Sequence, residues 1–504
     1  MTENMIMKTL EAQKLVGVRD AQLLLRAEAL VSGAGREAVE VLLSDAALRV
    51  VKAEVQNDRV LFEGEVRCQA AYRLGSEKNA RALTAKTALS HIFDMKGAQP
   101  GMLLSWDAVV EDVTAKYENG HMVFDAAVSL NAEVSALQNV EIMTETAKDG
   151  ALQAKKEEIV SVKTAAENTA VCVLSDKTAL PAALDARCTI LEWATITDLN
   201  HTNEPGGVRV TGSVLVETLV SGGLASRPAA LIKYTLPIDR YLEMPEWLLP
   251  GVRLTGRILG VSTEVEQAAD GGDSTLNMEA EVEITALSEA TDRISAVTDA
   301  YSASDEDVKV TKNTFEILTG RSVLQVKEPM RASVLLPEGA GAVGAVCAVK
   351  TRAAVGEVRA EGAKSVVSGV VNAQVMYMSQ SGEKLMSAKS DFPFEIPIAA
   401  PLSEHTRVRV EAVNAEGNAL MSDRVEVKCV LSMTMDRMKR DTVQTVKAIE
   451  SAGENKIRRG CVIVWPSAGE DAWSVAKRYR VPVQQVENAS GGGVSVGKAV
   501  VLRI

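Results

Sequence analysis

Residues 60–66 read Val60-Leu61-Phe62-Glu63-Gly64-Glu65-Val66, a run that mixes apolar and polar residues around a central glycine. Such a pattern is typical of a β-strand with one buried and one solvated face. A glycine inside a strand indicates a β-bulge or the close approach of another backbone. The run therefore predicts a β-strand that meets a neighbouring strand closely at Gly64.

The same pattern occurs three times in the chain. The second copy surrounds Gly212 and the third surrounds Gly369, so the central glycines are 148 and 157 positions apart. These spacings are far longer than the repeats of stacked solenoids. About 60 residues after each glycine another strand-like run follows, at residues 122–130, 276–284 and 424–431. The chain is therefore predicted to be mainly β, with three tandem antiparallel β domains at residues 8–143, 157–290 and 308–436.

Segments between the strand-like runs predict short helices and linkers. Residues 37–43 and 181–185 are the candidates for one short helix in each of the first two repeats. Residues 144–158 and 288–307 are rich in charge, alanine and serine, which predicts linkers, the first with helical character. Residues 437–460 predict a basic, flexible linker to the C-terminal segment.

The C-terminal segment, residues 461–504, has a different pattern. A short apolar strand at residues 461–465 precedes a run in which apolar residues recur with helical spacing, at Ala472, Val475, Ala476 and Tyr479. Asp471 is the expected N-cap of this helix, and Pro482 suits the first turn of a second helix. The chain ends in a strand with Val500, Leu502 and Ile504 on one face. The segment therefore predicts a small α+β domain with the order βααβ.

Charge is unevenly distributed along the chain. The net charge is −12, which argues against nucleic acid or an anionic membrane as the main partner. Residues 1–435 carry 43 basic and 60 acidic side chains, whereas residues 436–504 carry 12 basic and 7 acidic ones. The basic C-terminal part is either a solvated linker with its domain or a region that meets an acidic partner.

Cysteine usage and hydropathy indicate the cellular compartment. The six cysteines are scattered without a pairing pattern, which predicts reduced core residues and a reducing compartment. The N-terminal residues lack the basic-then-apolar order of a secretory signal, and no run approaches 18 uninterrupted apolar residues. We therefore expect a cytoplasmic protein without membrane insertion.

Motifs for catalysis are missing from the sequence. The four histidines, His91, His121, His201 and His405, have no metal-ligand spacing. The sequence contains neither a G-x-S-x-G elbow nor a G-x-x-x-x-G-K-[ST] phosphate loop. We therefore expect a protein that is not an enzyme, with no catalytic residues, cofactor or metal ion.

Two parts of the chain resemble known families. Gly469-Glu470-Asp471-Ala472-Trp473-Ser474-Val475-Ala476-Lys477-Arg478-Tyr479 resembles the hallmark run of LysM domains. The three glycine-centred repeats resemble SPOCS domains. Three such repeats followed by one LysM domain resemble the spore-coat morphogenetic proteins of the SipL type, related in role to SpoVID, from endospore-forming Firmicutes.

The resemblance implies a non-enzymatic scaffold of spore coat assembly. It would act in the mother-cell cytoplasm at the forespore surface, recruited through its LysM tail to a coat basement-layer ATPase similar to SpoIVA. The alternative is a cell-wall or cortex protein whose tail binds peptidoglycan, a polymer containing N-acetylglucosamine. Self-association through unpaired strand edges is a further hypothesis. By resemblance, the LysM binding groove would comprise Gly469, Glu470, Asp471, Ala472, Trp473, Asn488, Ala489 and Gly491.

Overall fold

The computed structural model describes residues 5–33, 38–75, 77–146, 151–224, 227–267, 273–337, 342–381, 384–403, 405–421, 423–454 and 460–503. Most of these residues lie in antiparallel β-strands, which confirms the mainly β prediction. The two α-helices found among them both lie near the C-terminus.

Six strands form the first repeat as two three-stranded sheets. The strands are β1 (Ile6–Leu30), β2 (Val39–Gln56), β3 (Arg59–Leu74), β4 (Arg81–Asp94), β5 (Leu103–Glu118) and β6 (His121–Glu145). In the outer sheet, β6 pairs with β1 on one side and β5 on the other. In the inner sheet, β3 pairs with β2 and β4.

The second and third repeats have the same topology as the first. The second repeat comprises β7 (Leu152–Ala179), β8 (Ala186–Glu204), β9 (Gly207–Leu224), β10 (Arg227–Glu243), β11 (Val252–Glu266) and β12 (Thr275–Ser302). The third comprises β13 (Glu306–Leu335), β14 (Val343–Glu361), β15 (Lys364–Ser379), β16 (Leu385–Ile398), β17 (His405–Met421) and β18 (Arg424–Glu454). Their outer sheets have the orders β7-β12-β11 and β13-β18-β17, and their inner sheets β8-β9-β10 and β14-β15-β16.

The central glycines lie where two backbones approach each other. A Cβ atom on Gly64, Gly212 or Gly369 would lie 2.2 to 2.4 Å from a backbone carbonyl oxygen of the adjacent strand. In all three repeats that adjacent strand has a bulge beside the glycine, at Val50/Lys52, Ile196/Asp198 and Val355/Glu357. The structure thus contains both features that the glycine pattern indicated, a bulge and a close backbone.

The three inner sheets close into a ring. The last strand of each inner sheet contacts the first strand of the next, as β4 does with β8, β10 with β14, and β16 with β2. One apolar core is shared by all three repeats at this point. It includes Ala71, Leu219 and Met376, which are each seven residues after the central glycine of their repeat. The repeats therefore surround an approximate threefold axis.

Polar side chains also join the repeats around the axis. Gln69 of the first repeat hydrogen bonds to the backbone of Glu192 in the second. Gln374 of the third repeat hydrogen bonds to the backbone of Ser44 in the first, with distances of 3.0 and 3.1 Å. The equivalent residue of the second repeat is Glu217, whose carboxylate instead accepts a hydrogen bond from Trp193. The repeats are therefore alike in backbone but different in side chains at the axis.

Beyond the ring, the outer strands continue as three two-stranded ribbons, which we call the stalk. The ribbons contact one another and enclose an apolar core that contains Leu10, Ile142, Ile159, Ala296 and Ile317. Each repeat contributes one ribbon, formed by residues 6–14 with 136–145, 152–164 with 289–302, and 306–320 with 439–454.

The stalk contradicts the prediction of linkers. The described parts of residues 144–158, 288–307 and 437–460 are largely strand, from β6, β7, β12, β13 and β18. Ala296 and Ala300, which favoured a linker in the sequence, are buried between the ribbons. Small side chains are needed there because three ribbons approach one another closely. Residues 455–459 and 147–150 lie outside the described residues.

The predicted short helices have different outcomes. Residues 182–184 form a 3-10 helix (Ala182–Leu184), which confirms the prediction for residues 181–185. The prediction for residues 37–43 is wrong, since β2 begins at Val39, and Glu37 lies outside the described residues. Leu42 and Leu43 are fully buried in the core shared by the repeats, so packing between repeats determines their strand conformation.

Only half of the cysteines are core residues. All six are free thiols; Cys68, Cys172 and Cys429 are buried, whereas Cys188 and Cys461 are exposed. Burial raises the pKa of the Cys68 thiol to about 12 and that of Cys429 to about 11. These two thiols are therefore protonated and unreactive at neutral pH.

Candidate functional site

The C-terminal segment forms a small module with the order βααβ. Strand β19 (Cys461–Val464) pairs antiparallel with β20 (Val500–Arg503), and α1 (Ala472–Tyr479) and α2 (Val483–Ser490) lie between them in the sequence. Val475, Ala476 and Val486 of the helices share a core with Val464, Val500 and Leu502 of the strands. Pro482 precedes α2 with an extended backbone, one position before its predicted place in the first turn.

Acidic side chains fix the start of α1. The Asp471 carboxylate accepts a hydrogen bond from the Ser474 amide at 2.8 Å, which confirms Asp471 as the N-cap. The Glu470 carboxylate accepts one from the Ser467 amide at 2.8 Å and pairs with Arg478 at 2.9 Å. Hydrogen bonds from the Ser474 hydroxyl and then its amide lower the pKa of Asp471, and the hydrogen bond from the Ser467 amide lowers the pKa of Glu470. Both acids therefore have a structural role at the helix N-terminus.

The remaining groove candidates occupy the turns around the helices. Gly469 precedes α1 with φ of +83°, and Gly491 ends α2 with φ of +72°. This left-handed conformation favours glycine, so both residues shape the backbone. Asn488 and Ala489 are exposed in the last turn of α2. Ligand binding by these residues stays a prediction.

Trp473 packs against the stalk. Its indole ring meets the ring of Tyr301 edge to face, with centroids 5.0 Å apart, and its Nε1 donates to Asp299 at 2.9 Å. The Tyr301 hydroxyl donates to the carbonyl oxygen of Val481 at 2.7 Å. Burial raises the pKa of Tyr301, so this hydroxyl remains a donor at neutral pH. Tyr301 thereby becomes part of the core of the module.

Ion pairs reinforce this contact. Lys477 lies 2.6 Å from Asp299, and Arg480 lies 2.5 Å from Asp307. Burial would raise the pKa of Asp299, but its hydrogen bonds from Lys477 and Trp473 outweigh burial and lower it. Asp299 is therefore ionised while it holds the module. We call Asp299, Tyr301 and Asp307 the stalk seat.

The sequence pattern does not predict the stalk seat. All three residues lie in residues 288–307, whose charge, alanine and serine content predicts a linker. One signal was present, since Asp299 and Tyr301 are alternate residues, as expected of a strand that presents one face to a partner. Pattern alone could not show that this partner is the C-terminal module.

Removing the Asp299 carboxylate should loosen the module. Asp299→Ala breaks hydrogen bonds to Trp473 and Lys477, a loss of about 2 kcal/mol for bonds that involve a charged group. We expect the amides of α1 to exchange with deuterium about thirtyfold faster, as measured by mass spectrometry. Glu157→Ala, which removes an exposed carboxylate of the same ribbon, is the control. Equal exchange in both variants would contradict the role of the seat.

The described residues contain neither a cluster of metal ligands nor a membrane-spanning helix. Within them, no three histidine, cysteine, aspartate or glutamate side chains are grouped as metal ligands. No helix in the same residues is long and apolar enough to cross a bilayer.

Comparison with known proteins identifies one part of the chain. A family model described as SipL, SPOCS domain, matches residues 37–118, which include strands β2 to β5. The chain has no significant match among curated proteins or among solved structures. Residues 37–118 are therefore similar to a SPOCS domain, and this similarity suggests a sporulation-related role.

Proposed function

We propose that this protein is a non-enzymatic scaffold of spore coat assembly in the mother-cell cytoplasm, held at the forespore surface by its C-terminal module. The module is a LysM domain, and its partner is a coat basement-layer ATPase of the SpoIVA type. The SPOCS match supports the sporulation role. The common topology of the three repeats supports the view that all three are SPOCS domains.

The observation that carries the proposal is the attachment of the module to the stalk. Tyr301, Asp299 and Asp307 hold it at the end of a body built from all three repeats. A module fixed in this way is suited to anchor the ring in one orientation on a surface. The three repeats would then face other coat components.

The same attachment favours a protein partner over a glycan. Trp473 is the aromatic residue among the groove candidates, and an aromatic ring is a common platform for a sugar. Its indole already contacts Tyr301 and Asp299. A partner protein can use the other surfaces of the module.

Binding of the full chain to two purified targets tests the proposal. The full chain is needed because Tyr301 of β12 completes the core of the module. We expect capture by the coat ATPase at physiological salt and no sedimentation with insoluble peptidoglycan. Sedimentation with peptidoglycan, without capture by the ATPase, would instead support the wall-binding alternative and contradict the scaffold proposal.

A further inference from the structure

The junction of the second and third repeats differs from the other two junctions around the axis. At those two, the Gln69 and Gln374 side chains each donate to and accept from the backbone of the neighbouring repeat. Their backbone partners precede the central glycine of their own repeat by 20 residues, a position that Val349 holds in the third repeat. The residue equivalent to the glutamines is here Glu217, and an ionised carboxylate has no proton to donate to the Val349 carbonyl. The double hydrogen bond of the other junctions therefore cannot form here.

Glu217 binds within its own repeat instead. Its carboxylate accepts a hydrogen bond from the Trp193 indole at 2.7 Å and lies 3.0 Å from the Lys233 ammonium group. Two lysines cross the junction. Lys233 donates to the Ala415 carbonyl at 2.7 Å, and the Lys350 ammonium group lies 4.3 Å from the centroid of the Trp193 ring. These single contacts replace the double hydrogen bond.

Ion pairs between the second and third repeats are also long. Among the described residues, three such pairs have nitrogen–oxygen distances of 3.5, 3.5 and 4.0 Å, namely Arg321–Glu289, Lys312–Asp299 and Arg253–Asp436. At the other junctions, ion pairs are as short as 2.6 and 2.8 Å. Attraction between charges weakens with distance, and the apolar core at the axis is shared by all three repeats. The junction of the second and third repeats is therefore the one that polar contacts hold least strongly.

The C-terminal module spans this same junction. It follows β18 of the third repeat in the chain, and its Arg480 pairs with Asp307 of β13 in that repeat. Its contacts with Asp299 and Tyr301 reach β12 of the second repeat. The stalk seat thus has residues on both sides of the connection between the two repeats, residues 303–305. A module that is covalently joined to one repeat and bound to the other holds the two together.

We infer that the module is a clasp, which keeps the body closed at the junction of the second and third repeats, so that release of the module opens the body there. The junction with the weakest remaining contacts opens first when a contact across it is lost. A ligand that displaces the module from the stalk seat would therefore open the body, and by linkage a ligand that binds the opened junction would release the module. The inference does not depend on which partner the module binds, so failure of the proposed function would leave it intact.

Tryptophan side chains report which junction opens. Trp193 is 6% exposed and is covered by Lys350 of the third repeat. Trp106 lies at the junction of the first and second repeats, where the Arg257 guanidinium is 3.6 Å from its ring centroid. Trp247 is 71% exposed and provides an internal reference. Brief exposure of the full chain to hydroxyl radicals, followed by mass spectrometry, measures the oxidation rate of each ring.

Removing the carboxylates of the stalk seat should open the junction. The full-length double variant Asp299→Ala with Asp307→Ala loses the ion pairs that bind the module on both sides of residues 303–305. We expect the oxidation of Trp193 to be about tenfold faster than in the unmodified chain, relative to the internal reference. The oxidation rate of Trp106 should stay unchanged.

Two further variants separate release of the module from other effects. Glu158→Ala breaks an exposed ion pair with Arg293 in the same ribbon, at 2.8 Å, and should leave Trp193 protected. Lys477→Gln combined with Arg480→Asn breaks the attachment from the side of the module and keeps the carboxylates of the stalk. Asparagine suits the left-handed backbone at position 480, where φ is +54°. This variant should also speed the oxidation of Trp193.

Deuterium exchange in α1 shows whether each variant has released the module. Faster exchange in α1 with Trp193 still protected would overturn the inference. Oxidation of Trp106 that rises as much as that of Trp193 would also overturn it, because the whole body would then have loosened. Unchanged exchange in α1 in both double variants would show that these contacts do not hold the module, and the clasp would be wrong.

Discussion

Replacing Gly64, Gly212 or Gly369 by alanine is expected to destabilise the protein by about 3 kcal/mol per substitution. The new methyl group would lie 2.2 to 2.4 Å from a carbonyl oxygen of the facing strand, much closer than non-bonded atoms tolerate. The clash is with backbone, so no side chain can move away, and the bulged strand must shift. Urea unfolding followed by tryptophan fluorescence measures the effect.

A strand glycine with free space is the matched control. In β11, a Cβ on Gly260 would have its nearest neighbour at 3.9 Å, an ordinary contact with the Glu281 side chain. Gly260→Ala should change the free energy of unfolding by no more than about 0.5 kcal/mol. If Gly64→Ala changes the free energy of unfolding as little as Gly260→Ala does, the two strands do not approach each other closely at Gly64.

Removing the Asp45 carboxylate should also lower the free energy of unfolding strongly. Asp45 lies at the axis, where it pairs with Lys350 at 3.3 Å and with Arg352 at 2.5 Å, both from the third repeat. Lys350 also lies over the Trp193 ring of the second repeat, 4.3 Å from its centroid. Asp45→Ala would leave two largely buried cations without this carboxylate, at a cost of about 4 kcal/mol in urea unfolding.

Two comparisons separate this effect from others. Asp45→Asn keeps the shape of the side chain and removes its charge, so it isolates the electrostatic part. Asp239→Ala breaks an exposed pair with Arg209 and should leave the midpoint of urea unfolding nearly unchanged. A cost for Asp45→Ala no larger than for Asp239→Ala would show that this buried cluster does not hold the ring together.

The Asp45 carboxylate should also make the stability of the protein depend on pH under acidic conditions. Burial would raise its pKa, but Lys350 and Arg352 outweigh burial and hold the pKa of Asp45 below its usual value. A carboxyl group whose pKa is lower in the folded than in the unfolded protein stabilises the fold at pH values above its unfolded pKa of about 3.9. This stabilisation is lost as the pH falls through the folded pKa. The stability difference between the unmodified protein and Asp45→Asn should therefore be constant near neutrality and shrink below about pH 4.

Local pattern was sufficient to predict the glycine-centred strands and the C-terminal module. The alternation around Gly64 predicted a strand with a bulge or a close neighbour, and both are present. The helical spacing from Ala472 to Tyr479 and the Asp471 cap predicted α1. These features depend on residues close in sequence, so a short stretch of sequence is enough to predict them.

Closure of the ring could not be predicted in the same way. Asp45, Trp193 and Lys350 each precede the central glycine of their repeat by 19 residues, yet they differ in chemistry. Only their meeting at the axis explains why an acid, an aromatic residue and a base occupy equivalent positions. Ala296 and Ala300 were interpreted as linker residues for the same reason, since their partners lie on other ribbons.

Deuterium exchange of the full chain, with and without the coat ATPase, tests the central claim that the module binds its partner while attached to the stalk. We expect added protection at residues 461–465 and 500–503, with unchanged exchange in α1 and around Tyr301. Faster exchange in α1 on adding the ATPase, with no protection of residues 461–465 or 500–503, would show that the module leaves its seat and binds through Trp473, and would contradict this claim.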